Sequence, residues 1–337
     1  ACGCPAAVSL HRRGLRYCSL AKADGFPNHF NPPVSAVCQI FPLIQMHLCT
    51  PAGSSHPITC PIAMAFAIRT TPCSAAVASL TIAPMKMHFL SGGRLRMRAR
   101  TYYPGADREA LFELPVSCTL LRHAQGNVLF DTGCHPGVVD DAAAHWGALA
   151  ARMEPLHGAS DNVVAQLAVT GLAADDIDAV ICSHLHTDHC GCNSFFPRAS
   201  VIVHAAELAA ARADADAANG YYAADWDTGQ VFDELTGARD VFGDGALTLL
   251  PLPGHSPGMT VAHVVLPRDG AFVLASDAVP VAVNLDQRFA PRNSWDMDLT
   301  LAGFGEIARL QADGARVIYG HDDAQWQALR KGAEWYE

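Results

Sequence analysis

The stretch SHLHTDHCG, residues 183–191, places His184, His186, Asp188 and His189 within six consecutive positions. It follows directly on IDAVICS (177–183), an apolar run with the length and β-branched content of a short buried strand. A buried strand that carries so many polar groups to its end must deliver them where something satisfies them. In an extended segment residues two apart point the same way, so His184 and His186 can grip one cation together. Once the chain turns, Asp188 and His189 can face a second position nearby. A catalytic zinc takes about three protein ligands and leaves a place for water. Four side chains cannot complete two such sites, so the fold must bring distant segments to the same edge.

Three further apolar runs end in a suitable group. ALTLLPL (246–252) leads into PGHSPG and His255, AFVLAS (271–276) into Asp277, and ARVIYG (315–320) into His321. Loops from one sheet edge can surround a common site in this way. The resulting expectation is specific. His184, His186 and His255 hold one ion; Asp188, His189 and His321 hold the other. Asp277 bridges them with one oxygen on each, and a hydroxide completes the bridge, with the ions about 3.5–4 Å apart. Asp188 is also expected to relay a proton. The isolated His123, His145, His204 and His263 read as structural or surface residues. Cys182, Cys190 and Cys192 read as packing residues, since Cys190-x-Cys192 is a poor chelating spacing. Asp131, in FDTG (130–133), has two compatible roles: forming a turn, and accepting a hydrogen bond that fixes the tautomer of a ligand histidine.

Composition bounds the class. The chain has 337 residues, 50% of them hydrophobic, and a net charge of −10, which argues against a nucleic-acid surface. No run approaches the ~18–20 apolar residues of a membrane helix. The first 84 residues hold five bases and one acid, seven of the 12 cysteines and ten of the 21 prolines. They lack periodicity, and proline interrupts each apolar run. They are expected to form an irregular, disordered leader or not to be natural coding sequence, translation then starting at Met85 or Met87.

From Met85 the character changes. MKMHFLSGG reads as a strand and a glycine turn, and residues 114–133 as a hairpin around AQGN. Residues 137–153 read as a helix. A second helix follows a cap at Ser160 or Asp161 and stops at Gly171. ASVIVH (199–204) is a strand, 205–218 and 299–314 are helices, and the polar, aromatic stretch 219–245 is a candidate lid or pocket wall. Strands interleaved with helices indicate an α/β or α+β fold.

HLHTDH, PGHSPG, the SD at 276–277 and the GH at 320–321 resemble the successive metal motifs of the metallo-β-lactamase superfamily, and FDTG resembles its early turn. The resemblance runs from about Met85 to the C-terminus. It implies an αββα sandwich of two mixed sheets with metals at one edge, and a catalytic domain over 85–337. Within the superfamily the chain is similar to the N-acyl-homoserine lactonases. The features are intervals of 22 residues from His255 to Asp277 and 44 from Asp277 to His321, the opening MKMHFLSGGRLRM, and the hairpin ELPVSCTLLRHAQGNVLFDTGCHP.

That likeness implies a hydrolase that opens a small-molecule lactone, with two zinc ions per chain; iron, cobalt or manganese suit the same ligands. The charge and the lack of a long apolar run point to no nucleic-acid or membrane partner; the protein is expected to be cytoplasmic, and its oligomeric state is left open. The alternative is another ester, lactone or thioester hydrolase of the same fold, such as the glyoxalase II type. A non-enzymatic binding scaffold fits poorly with a complete ligand set, and a flavin-linked di-iron oxidoreductase with the 16 residues that follow His321. One departure concerns the substrate. Many of these lactonases carry a tyrosine three residues after the bridging aspartate, where this chain has Pro280, and Thr187 stands where an aromatic residue is common. Tyr221 or Tyr222 is expected to supply the missing hydroxyl.

Overall fold

The computed structural model describes residues 83–337 apart from 157, 215, 216 and 218. The expected leader, except for its last two residues, lies outside the described residues. In chain order the elements are β1 (Met85–Arg98), β2 (Leu111–His123), β3 (Gly126–Phe130), α1 (Val138–Trp146), β4 (Glu154–Pro155), α2 (Val163–Val169), β5 (Ala179–Ile181), α3 (Thr187–Cys190), β6 (Ser200–His204) and α4 (Ala205–Ala213). There follow α5 (Ala223–Trp226), β7 (Phe232–Leu235), β8 (Arg239–Asp240), β9 (Leu247–Pro251), β10 (Thr260–Leu266), β11 (Gly270–Ser276), α6 (Ala282–Asp286), α7 (Met297–Ala312), β12 (Arg316–Tyr319) and α8 (Asp323–Ala328). No described helix is long and apolar enough to cross a membrane.

Alternation along the strands sets the layers. In β1, Met85, Met87 and Phe89 face one way and Leu90 the other. The first set packs with Leu121, Phe130 and Ile202 of the same sheet and with Leu249, Val264 and Phe272 of a second sheet, forming the inner core. The two sheets are ordered β4-β1-β2-β3-β5-β6-β7 and β12-β11-β10-β9-β8. On the outer face of the first, Leu167 of α2, Leu208 of α4 and Trp226 of α5 cover Leu120 and Val180. On the outer face of the second, Phe304 and Ile307 of α7 cover Val261 and Val273. The architecture is the αββα sandwich that the motifs imply.

Strand direction then explains the site. β3, β5, β6 and β7 are parallel to one another. β10 is antiparallel to both β9 and β11, and β12 is parallel to β11, so β9, β11 and β12 share one direction. Asp131 follows β3, His184 follows β5, His255 follows β9, Asp277 follows β11 and His321 follows β12. The carboxyl ends of strands are where open α/β sheets leave a crevice.

Several local expectations are corrected. Gly92 and Gly93 do not turn the chain; β1 runs through them with a register shift between Ser91 and Arg94. The cap of α2 is Asn162, whose side chain accepts from Ala165 N at 3.1 Å, not Ser160 or Asp161. TVAHVVL, which the sequence analysis does not read as a strand, is β10, a central member of the second sheet. Most of 219–245 is not a lid: β7 extends the first sheet and β8 the second.

The bulge in β1 has a purpose. Gly133, at φ +74, sits so close to Gly92 that a Cβ on Gly133 would lie 2.4 Å from the Gly92 Cα. Gly133 also bridges Cys190 of α3, which ties the β3 end to the histidine-rich turn. Replacing Gly133 with Ala combines a left-handed backbone with a backbone clash, and is expected to cost about 2–4 kcal/mol. A denaturant midpoint unchanged by Gly133→Ala would show that this contact does not matter.

Candidate metal centre

The local chain explains how the cluster is presented. β5 ends at Ile181, Ser183 follows, and His186 caps the one-turn α3 that holds Asp188 and His189. Three sets of ligand-type atoms converge: His184, His186 and His255; His184, His189 and Asp277; and Asp188, His189 and His321. Within each set the atoms lie within 4.8 Å of one another. All seven residues expected from the sequence are therefore in one place, although β5 belongs to one sheet and β9, β11 and β12 to the other.

Asp277 lies between the outer sets. Its Oδ2 is 3.3 Å from His255 Nε2, while its Oδ1 is 2.9 Å from His321 Nε2 and 3.5 Å from His189 Nε2. One carboxylate oxygen thus faces each group of imidazoles. The His255 Nε2 and His186 Nδ1 atoms approach to 3.0 Å, as expected for two donors aimed at one point.

Whether the residues fit a cation can be judged from unsatisfied atoms. His184 Nε2, His189 Nε2, His321 Nε2 and Asp277 Oδ1, all turned to the site, are buried and lack a hydrogen-bond partner. The His321–Asp277 approach is close but lacks hydrogen-bond geometry. An unsatisfied buried polar atom costs about 1–3 kcal/mol, so several in one place are not a neutral packing choice. A divalent cation accepted by these imidazoles and carboxylates removes most of that cost, and the donor set suits zinc, iron, cobalt or manganese.

Protonation points the same way. Burial, aided by the neighbouring imidazoles, holds His184 well below the ordinary range. Burial also lowers His186 and pushes His255 down to about 3. These three are neutral, the form that binds metal. Burial pulls His189 and His321 down too, but the carboxylates of Asp188 and Asp277 outweigh it and raise both. Asp277 is held well below the carboxylate range, burial being overcome by His321, His255 and His189. Asp277 is thus anionic, and a cation held here would take the place of the protons that His189 and His321 otherwise keep.

Outer partners orient the rings of His189 and His321. Asp131, at φ +60, accepts from Ser183 N at 2.7 Å and from Ser183 Oγ at 2.8 Å. Its Oδ2 is 3.0 Å from His189 Nδ1, which turns Nε2 inward. His321 Nδ1 donates to Pro115 O at 2.9 Å with the same result. Asp131 thus shapes the turn and stands at hydrogen-bond distance from the outer nitrogen of His189. The buried Cys182, Cys190 and Cys192 thiols are pushed up by burial and fill space.

Two braces were not read from the sequence. Glu207 of α4, fully buried, accepts from Leu185 N at 3.1 Å, Ser256 Oγ at 2.7 Å and Gly258 N at 2.8 Å. It joins the two histidine loops. Asp225 of α5 accepts from Thr187 and lies 2.8 Å from His145 Nε2, while Trp146 Nε1 donates to Thr187 Oγ1 at 2.6 Å. His145, read from the sequence as a structural or surface residue, is structural: it is part of the support beneath α3.

A cavity of about 900 Å³ opens over His186, Asp188, His255 and Asp277. Met97, Leu149, Met153 and Trp295 give it apolar surface, and Tyr102 and Tyr221 are part of its lining. The Tyr221 ring is 5.0 Å from that of His186, and burial together with the Glu207 carboxylate pushes its hydroxyl up. Tyr222 is a correction: it is absent from the cavity lining, and its hydroxyl donates to the Trp146 carbonyl instead. Asp131→Asn should loosen the His189 ring and weaken metal binding or activity about 10–100-fold, read by chelator competition. Unchanged competition would remove Asp131 from the account.

The Metallo-beta-lactamase superfamily model matches residues 111–330. The N-acyl homoserine lactonase AttM of Rhizobium johnstonii is 30% identical over 261 residues, covering 75% of this chain and 98% of that protein. The N-acyl homoserine lactonase AiiB of Agrobacterium fabrum is 31% identical over 238 residues, covering 66% of this chain and 85% of that protein. A solved N-acyl homoserine lactone hydrolase with the product N-hexanoyl-L-homoserine at its catalytic metal centre superposes with a TM-score of 0.69. It is 26% identical, with 76% of this chain and 100% of that chain covered. The chain belongs to the metallo-beta-lactamase superfamily and, within it, resembles the N-acyl homoserine lactonases.

Proposed function

We propose that this protein is a metal-dependent hydrolase that opens the ring of N-acyl-homoserine lactones. The observation that carries this reading is Asp277, with one carboxylate oxygen turned to each group of imidazoles at the base of a roomy, partly apolar cavity. The relatives named above support the choice of substrate. Two divalent cations, zinc in our reading, held by His184, His186 and His255 and by Asp188, His189 and His321 with Asp277 between, would supply a hydroxide at neutral pH and polarise the ester carbonyl.

The chain's own residues do the rest. The apolar wall of Met97, Leu149, Met153 and Trp295 takes the acyl chain and excludes water. Asp188, which faces the cavity, carries a proton from the attacking water to the departing ring oxygen. Tyr221 lines the same wall and packs against His186, so we keep it as a contact to the substrate. The five buried, unpaired cysteines of the described residues support a reducing, cytoplasmic setting. We take Met85–Glu337 as the catalytic domain, since β1 begins at Met85.

Chelation should abolish lactone opening, and zinc should restore it. Asp277→Ala should lower bound metal and rate together, the rate by about 100-fold or more. A protein stripped of metal that kept full activity would contradict the scheme. The substrate is tested by following acid release from N-acyl-homoserine lactones of several chain lengths. No acid from any of them, with turnover of a glutathione thioester, would assign the protein to the thioester hydrolases instead.

A further inference from the structure

Tyr102 follows β1 and is only 2% exposed, yet it lines the cavity. Its ring centroid is 6.2 Å from that of His321, on the side of the site that holds Asp188 and Asp277. The backbone beneath it is pinned. Asn284, fully buried, donates to Tyr102 O at 2.7 Å, and Tyr102 N donates to Ala99 O at 3.1 Å. The ring packs edge-on to Phe112 at 5.3 Å. A hydroxyl so held is preorganised, and the capacity left to it is informative. Its proton points at Met97 Sδ, 3.6 Å away, and a thioether is a weak acceptor. The oxygen has the Asn293 side chain as a hydrogen-bonding neighbour. What the group can still offer strongly is its proton.

Of the two tyrosines considered from the sequence, only Tyr221 lines the cavity, where it packs against His186. Tyr222 donates to Trp146 O, and Tyr221 lies beside Glu207. We propose that Tyr102 is a catalytic residue whose hydroxyl donates a hydrogen bond to the ring oxygen leaving the lactone, on the Asp188–Asp277–His321 side of the cavity. This rests on the lactonase reading. In the step concerned, a water oxygen has bonded to the acyl carbon. The ring C–O bond breaks and its electron pair stays on the ring oxygen. One proton of the attacking water reaches that oxygen through Asp188, and the other leaves as the new carboxylic acid ionises. Tyr102 keeps its own proton throughout and stabilises the charge while the bond is breaking.

Such a role matters for a poor leaving group and little for a good one, whereas a packing role does not distinguish them. The test uses the full chain loaded with zinc. Wild type and Tyr102→Phe are compared on an N-acyl-homoserine lactone, on an alkyl ester and on the p-nitrophenyl ester of the same acid. Zinc content and the calorimetric affinity for the ring-opened N-acyl homoserine are measured alongside. The expected result is a fall in kcat of about 100-fold on the lactone and the alkyl ester. The aryl ester rate and zinc content should be unchanged, and product affinity up to about tenfold weaker. Unchanged lactone and alkyl ester rates, or an equal fall on all three substrates, would overturn the assignment. A wild-type enzyme that cleaves the alkyl ester but no lactone defeats the lactone reading alone, and the two esters still decide the role of Tyr102. A wild-type enzyme that cleaves none of the three overturns both.

Discussion

Five imidazoles and two carboxylates crowd the joined edge of two sheets, where water is largely removed and several of their nitrogen and oxygen atoms have nothing to bond. Desolvation on that scale must be offset, and folding alone does not offset it. Much of the structure can be understood as support for this arrangement. Asp131 and the Pro115 carbonyl occupy the outer nitrogens of His189 and His321, so the inner ones converge. Glu207 ties the loop of His184 and His186 to the loop of His255. Asp225, Thr187 and Trp146 hold α3 from below. Removing any of these supports alters where a lone pair points rather than how many ligands there are.

The supports also show why a rigid sandwich is needed. The converging side chains are separated by up to 137 positions along the chain, from His184 to His321, and come from both sheets. Only the inner core, in which Met87 and Phe89 of one sheet meet Val264 and Phe272 of the other, holds those strand ends at a fixed separation. Close backbone approaches such as Gly92 against Gly133 set the last ångström. The cavity above is open and mixed in character, so chemistry and substrate choice are carried by different parts of the molecule.

The seven converging residues were legible because they gather where short apolar runs end, and strand ends are where such groups collect. Asp131 was legible for the same reason, through FDTG. What escaped was whatever depends on a partner distant in sequence. Glu207 lies in an alanine-rich helix, where a carboxylate reads as a solvated face; only the approach of Leu185, Ser256 and Gly258 makes it a brace. Tyr102 and Tyr222 look alike on paper, and packing alone puts one into the cavity and the other onto the Trp146 carbonyl. The glycine pair in β1 has turn chemistry, but the strand continues because β2 pairs on both sides of the bulge. β10 was missed because it starts almost at once after PGHSPG, and His263 interrupts its apolar pattern.

The most direct measurement is anomalous scattering at the zinc edge from crystals of the zinc-loaded protein. Two peaks per chain are expected, one bounded by His184, His186 and His255 and the other by Asp188, His189 and His321, with the Asp277 carboxylate reaching both. A protein that opens lactones at full rate with no peak among these side chains would contradict the proposed centre.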